Sequence, residues 1–204
     1  MTDISLDQKQ CGLLENAAAY VKTIMENDEP GHDFSHIERV VGNARKILAK
    51  EPADPFITLM VAYLHDLDDP KLQRKETNLA KKYLDSCDLD SVIKTKILKA
   101  ISEISFSGQK NGIKITSKEA AIAQDADRLD ALGAIGIART FSFGGHLGRK
   151  IYSGRVDDDS SFAHFYQKLF LLVNLMNTKT AKRIAKSRTK YMKKYVRRLA
   201  RETS

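Results

Sequence analysis

Val61-Ala62-Tyr63-Leu64-His65-Asp66-Leu67-Asp68-Asp69 is an apolar helical run that ends in an adjacent His-Asp pair. The periodicity predicts a helix over 56–68 that is apolar nearly all round (Phe56, Ile57, Leu59, Met60, Val61, Ala62, Tyr63, Leu64), which places it centrally. His65 beside Asp66 could by itself serve a helix C-terminus, where a cation is favoured. The chain also supplies partners. His36 stands 29 residues earlier in a helical context, and an Asp-rich run lies at 125–130. Two imidazoles and two carboxylates drawn from three helices suit a divalent first-row metal, with positions left for water.

Outward from that stretch the signals stay helical. A stripe over 5–27 (Leu13, Leu14, Ala17, Ala18, Val21, Ile24, Met25) stops at Asn27-Asp28-Glu29-Pro30-Gly31. Ser35 with Glu38 reads as a capping box opening a second helix, which puts His36 in its first turn, projecting from the helix mouth. Pro52 and Pro55 mark the next boundary, and Pro70 ends the central helix. Shorter amphipathic helices are predicted over 76–86 and 90–104, and Ser117 caps another over 118–132. Residues 105–116 and 144–160 read as loops, with Gly144-Gly145 breaking the small apolar run 133–143. Two helices, 161–177 and 179–201, close the chain. The fold class expected is all-α: a single-domain helical bundle of eight or nine helices over residues 1–204.

With 204 residues, 42% hydrophobic and 29% charged, the composition is that of a globular protein with a sizeable core. No apolar run approaches the ~20 residues of a membrane span, and the N-terminus lacks a signal-peptide order. Two cysteines, Cys11 and Cys87, form no metal or redox spacing, so reduced thiols and a cytoplasmic location are expected. The net charge of +8 is uneven: residues 179–204 carry +10 and residues 1–178 carry −2. Ala181, Ile184, Ala185, Tyr191, Met192, Tyr195, Val196 and Leu199 recur at helical spacing among those basic residues. The 179–201 segment therefore reads as an amphipathic helix with a solvated basic face, and nucleic acid is not an expected partner.

On the helix around 120–134, Asp127 and Asp130 each lie one turn from alanines, on a small-residue face. Like charges three apart repel by a few tenths of a kcal/mol, and burying an unpaired carboxylate costs several kcal/mol. A bound cation resolves both. Spacing leaves open which of the two is the ligand, and an ion pair of Arg128 with Asp125 is the structural alternative.

Three blocks, His32-Asp33-Phe34-Ser35-His36-Ile37-Glu38-Arg39-Val40, Leu64 to Lys71, and Asp125 to Phe141, resemble the HD-domain metal-dependent phosphohydrolases. More narrowly, they resemble the small single-domain bacterial group that includes nucleotide pyrophosphohydrolases. The similarity runs on through Phe143 to His146, His164 to Tyr166 with Lys168-Leu169, and Leu175 to Thr178 with Thr180-Ala181. The resemblance implies that His36, His65, Asp66 and Asp127 ligate one divalent metal, Mn²⁺ in first place, with Ni²⁺, Co²⁺, Fe²⁺ or Mg²⁺ as alternatives. Asp127 takes precedence over Asp130 because it matches the aspartate of an Ala-Asp-Arg element shared with related alarmone hydrolases. Asp69 falls where several HD enzymes place an acidic residue that handles the attacking water, although many have Glu there.

The activity expected is hydrolysis of a nucleoside triphosphate to monophosphate and pyrophosphate through a metal-activated water. The partner expected is a small phosphorylated substrate, a nucleotide, with oligomeric state left open. Candidate phosphate contacts are Lys71, His32, Arg139, His146 and Arg149. Alternatives are a nucleotide phosphomonoesterase or cyclic-nucleotide phosphodiesterase and, in another class, a non-catalytic nucleic-acid-binding protein using the basic helix. No Gly-x-x-x-x-Gly-Lys cradle and no Gly-x-Ser-x-Gly elbow occurs.

Overall fold

A computed structural model of the chain describes residues 4–25, 33–69, 76–104 and 114–203. Among them it contains nine α-helices, one 3₁₀ helix and no strand. The chain divides into two compact units, residues 1–126 and 127–204.

In the first unit, α1 (Gln8–Met25), α2 (Phe34–Leu48) and α3 (Pro55–Leu64) pack together, with α4 (Leu79–Ser86) and α5 (Ser91–Ile104) alongside. α3 is the centre: seven of its apolar side chains are buried, from Phe56 to Leu64, with only Tyr63 half-buried. α1 turns Leu14, Ala17, Val21 and Met25 inward, and α2 turns in Ile37, Val40, Val41, Ala44 and Ile47.

The helix starts differ from the sequence expectation in an instructive way. α2 is capped by Asp33, not Ser35: the Asp33 carboxylate accepts from the His36 backbone N–H at 3.1 Å, and the Ser35 hydroxyl donates to the same carboxylate. A carboxylate at the cap also meets the positive end of the helix dipole, which a hydroxyl does less well. Pro55 does not merely bracket α3 but begins it, its fixed φ suiting the first helical position, with Asp54 capping through Ile57 N–H at 3.0 Å.

α3 ends at Leu64, four residues before the expected end. Residues 65–68 continue as a turn, held by Leu67 N–H to Leu64 O and Asp69 N–H to Asp66 O. Asp68 then reaches forward. Its two carboxylate oxygens accept from Leu79 N–H at 2.8 Å and Ala80 N–H at 3.1 Å, capping α4 from eleven residues upstream. The residue in the local cap position, Asn78, is left-handed (φ 57°) and makes no side-chain cap bond. Asp68→Ala is therefore expected to lower stability by about 1 kcal/mol, or roughly 2–4 °C in Tm, in a thermal melt.

α6 (Lys118–Asp130) crosses from one unit to the other within a single continuous helix. Its first unit portion is tied down at both ends. Glu119 Oε1 accepts from Asp54 N–H at 2.9 Å, and the buried Asn43 side chain of α2 donates to Ala126 O at 3.1 Å. Just ahead of α6, Thr116 donates through its backbone N–H and its hydroxyl to the buried Glu103 carboxylate of α5.

The second unit holds α7 (Gly133–His146), α8 (Ser161–Gln167), a 3₁₀ helix (Leu169–Leu175) and α9 (Lys179–Glu202). Gly144 and Gly145 do not break α7, contrary to the sequence expectation. Gly144 is buried, and a Cβ there would sit 2.1 Å from the Ser161 hydroxyl, so glycine serves close packing with α8. The expected 161–177 helix is interrupted at Lys168 (φ −135°, ψ −58°), after which the chain tightens to 3₁₀. α9 buries Ala181, Ala185, Thr189, Met192 and Val196, while most of its lysines and arginines face solvent. No helix among the described residues is long and apolar enough to cross a membrane.

Candidate metal centre

Three helix ends bring the key side chains together. His36 lies in the first turn of α2, His65 at the C-cap of α3 with Asp66 directly after it, and Asp127 in the last turn of α6. Asp127 follows Ala126, whose carbonyl accepts from the buried Asn43 side chain of α2. Single ligand atoms of His36, His65 and Asp127 lie within 4.8 Å of one another. The Asp66 carboxylate stands against both imidazoles, its Oδ2 3.4 Å from His36 Nε2 and its Oδ1 3.3 Å from His65 Nε2. The two imidazole rings meet edge-on, with centroids 5.7 Å apart. His36 is 1% exposed, so it is enclosed instead of projecting from the helix mouth.

The protonation pattern follows from one hydrogen bond. His65 Nδ1 is 3.0 Å from Ala62 O, and a carbonyl can only accept. Nδ1 therefore carries the proton in the neutral imidazole, and Nε2 presents a lone pair. That Nε2 is buried with no hydrogen-bond partner; the nearby Asp66 oxygen is itself an acceptor. An acceptor facing acceptors in a buried place is unfavourable unless a cation lies between them. The donor set, imidazole nitrogens with carboxylate oxygens, fits a divalent first-row metal. A carbonyl-held Nδ1–H is also the usual means of orienting a metal-ligating histidine.

The other candidates are placed as follows. Asp130, the alternative left open by spacing, is buried and accepts from the Arg139 guanidinium, within the second unit. Arg139 thus supplies Asp130 with a counter-charge. Arg128 donates to the Leu175 carbonyl. Asp69 is half-buried, one turn beyond Asp66. His146 is exposed at the end of α7, stacked against Phe143 with centroids 6.5 Å apart. Arg149 is half-buried, and its backbone N–H donates to Gly144 O at 2.8 Å. With burial as the main cause, and Lys168 and Arg149 adding to it, the His164 imidazole is held below its ordinary pKa. His32 and Lys71 lie outside the described residues.

Two imidazoles and a carboxylate brought together at three helix ends could hold a metal ion. The HD domain family matches residues 33–132, a span that contains His36, His65, Asp66 and Asp127. The YpgQ protein of Bacillus subtilis is 36% identical over 198 residues, covering 95% of each chain. Its crystal structure in complex with ADP superposes with a TM-score of 0.77, at 32% identity over 96% of this chain and 97% of that one. An HD-superfamily hydrolase from Bacillus thuringiensis gives a TM-score of 0.78 at 35% identity, over 95% of this chain and 97% of that one. The chain belongs to the HD-domain family of metal-dependent phosphohydrolases.

Sequence reasoning missed Asn43. It lies seven residues after His36, so it occupies the same face of α2, among Val40, Ala44 and Ile47. A polar side chain on that apolar stripe was the available signal: buried amides are hydrogen-bonded, and this one holds the helix that carries Asp127.

Proposed function

We propose that the protein hydrolyses nucleoside triphosphates to monophosphate and pyrophosphate, with one divalent metal held by His36, His65, Asp66 and Asp127. Mn²⁺ is the first choice of ion. The single observation that carries the metal assignment is the buried, unpartnered His65 Nε2 facing the Asp66 carboxylate. ADP in the crystal structure of the Bacillus subtilis relative supports a nucleotide as substrate class.

Held there by His36, His65, Asp66 and Asp127, such an ion would supply Lewis-acid chemistry toward a phosphoryl oxygen and a more acidic water. The chain's own residues supply the rest. Ala62 O orients His65 by taking its Nδ1 proton in a hydrogen bond. Asp66 lends negative charge to both imidazoles, and its burial keeps that charge from being screened. Asp69 accepts the proton of the attacking water. Lys71 and His32, with Arg139, His146 and Arg149, contact phosphate oxygens; Arg139 also pairs with Asp130. We place the whole chain, residues 1–204, in one functional domain, working in the cytoplasm with its two cysteines free.

Mn²⁺-loaded protein given a nucleotide panel is expected to release pyrophosphate from at least one nucleoside triphosphate. Release of orthophosphate alone would contradict the substrate assignment. The basic face of α9 should be dispensable: neutralising Lys193, Lys194, Arg197 and Arg198 together is expected to leave turnover within about twofold, as for surface charge changes remote from any special contact. His65→Ala should remove it. The reverse result would favour a nucleic-acid-binding role.

A further inference from the structure

Asp127 occupies a weak place in a helix. It is the fourth residue from the end of α6, where the last carbonyls lack partners within the helix and the turn is prone to fray. The backbone tightens this end with Ala131 N–H to Arg128 O at 3.3 Å and Leu132 N–H to Leu129 O at 3.0 Å. Those are the tighter-turn bonds, three residues apart, of a helix that is ending. A side chain from elsewhere that takes one of those carbonyls steadies such a turn.

Arg188, from α9, does so. Its Nη1 donates to Leu129 O at 2.5 Å, across 59 residues of sequence. Its aliphatic stem crosses Gly133: a Cβ there would lie 3.2 Å from Arg188 Cγ, and Gly133 has φ +82°, a conformation that favours glycine. The guanidinium is half-buried; burial works against its charge, and Asp130 nearby works for it. The same turn is gripped by Arg128 on Leu175 O and by Arg139 on Asp130. Arg188 takes hold of the α6 backbone itself from α9.

We propose that Arg188 is a positioning residue for the metal centre, pinning the last turn of α6 so that the Asp127 carboxylate is held ready for the ion. This rests on the metal assignment made above. Outer partners that orient ligands typically account for about 10–100-fold in metal affinity.

The test is calorimetric titration of the metal-free protein with Mn²⁺, alongside far-ultraviolet circular dichroism. Arg188→Gln is expected to keep its helix content and bind Mn²⁺ about 10- to 100-fold more weakly. Arg188→Lys, whose shorter side chain keeps the charge but not the guanidinium fork, should regain part of the loss. Arg197→Gln, an exposed arginine on the same helix, should bind as the wild type does. Wild-type affinity in folded Arg188→Gln would overturn the inference, whatever its melting temperature. If Arg188→Gln does not fold, Arg188→Lys decides, weaker binding supporting the inference and unchanged binding overturning it. Absence of Mn²⁺ binding by the wild type would overturn the metal assignment and this inference together, which distinguishes the two failures.

Discussion

Asp66→Ala is expected to abolish hydrolysis while leaving the helical fold in place. Asp66 is 9% exposed, and its carboxylate stands 3.4 Å from His36 Nε2 and 3.3 Å from His65 Nε2. Removing it takes away one proposed ligand and half of the proposed ligand charge. Breaking a buried charge arrangement by deleting one partner costs on the order of 4 kcal/mol, which is about a thousandfold in metal affinity. At ordinary metal concentrations turnover should then fall at least that far. Asp66 emerges from a turn, after α3 has ended, so its loss should leave no hole in the α3 core. Asp66→Asn refines the test, since it keeps the shape and removes the charge; it should resemble Ala. Activity in either variant close to wild type would refute the assignment.

Gly136→Ala should be the most damaging single-methyl change outside the site. A Cβ at Gly136 would lie 2.2 Å from Ala131 O and 2.5 Å from Ala131 C, backbone atoms that cannot swing aside. The corner between α6 and α7 would have to open. Overpacking of that kind costs about 3 kcal/mol, or roughly 6–12 °C in Tm for a chain of this length. Gly12→Ala supplies the opposite sign. Gly12 lies inside α1 with nothing within 4 Å of its would-be Cβ, so alanine should stabilise by about 0.5–1 kcal/mol. Urea or thermal unfolding of the two variants side by side reads the contrast directly. Equal stabilities would mean that the close approach at Gly136 is not real.

Much of this was legible in the chain because it is local. The nearly all-apolar surface of α3 pointed to its central position, and the His65-Asp66 pair at its end pointed to the candidate site. His36 and the 125–130 aspartates became partners through the family resemblance more than through periodicity. Spacing could not choose between Asp127 and Asp130, since neighbouring turns of one helix look alike in sequence. The choice depends on what each meets: Asp127 comes near the two histidines, and Asp130 meets Arg139. Ser35 with Glu38 mimicked a capping box, but Asp33 won the same helix end by bringing a charge. Gly144-Gly145 mimicked a helix break because sequence does not show that Ser161 will pack against the bare backbone. Contacts that span long separations, such as Asp68 to α4, Asn43 to Ala126 and Arg188 to Leu129, leave no periodic trace at all.

The most direct measurement of the central claim is anomalous diffraction at the manganese edge from crystals grown with Mn²⁺. The expected result is one strong peak enclosed by His36, His65, Asp66 and Asp127, with His65 bound through Nε2. A peak elsewhere, or none among those four side chains, would contradict it.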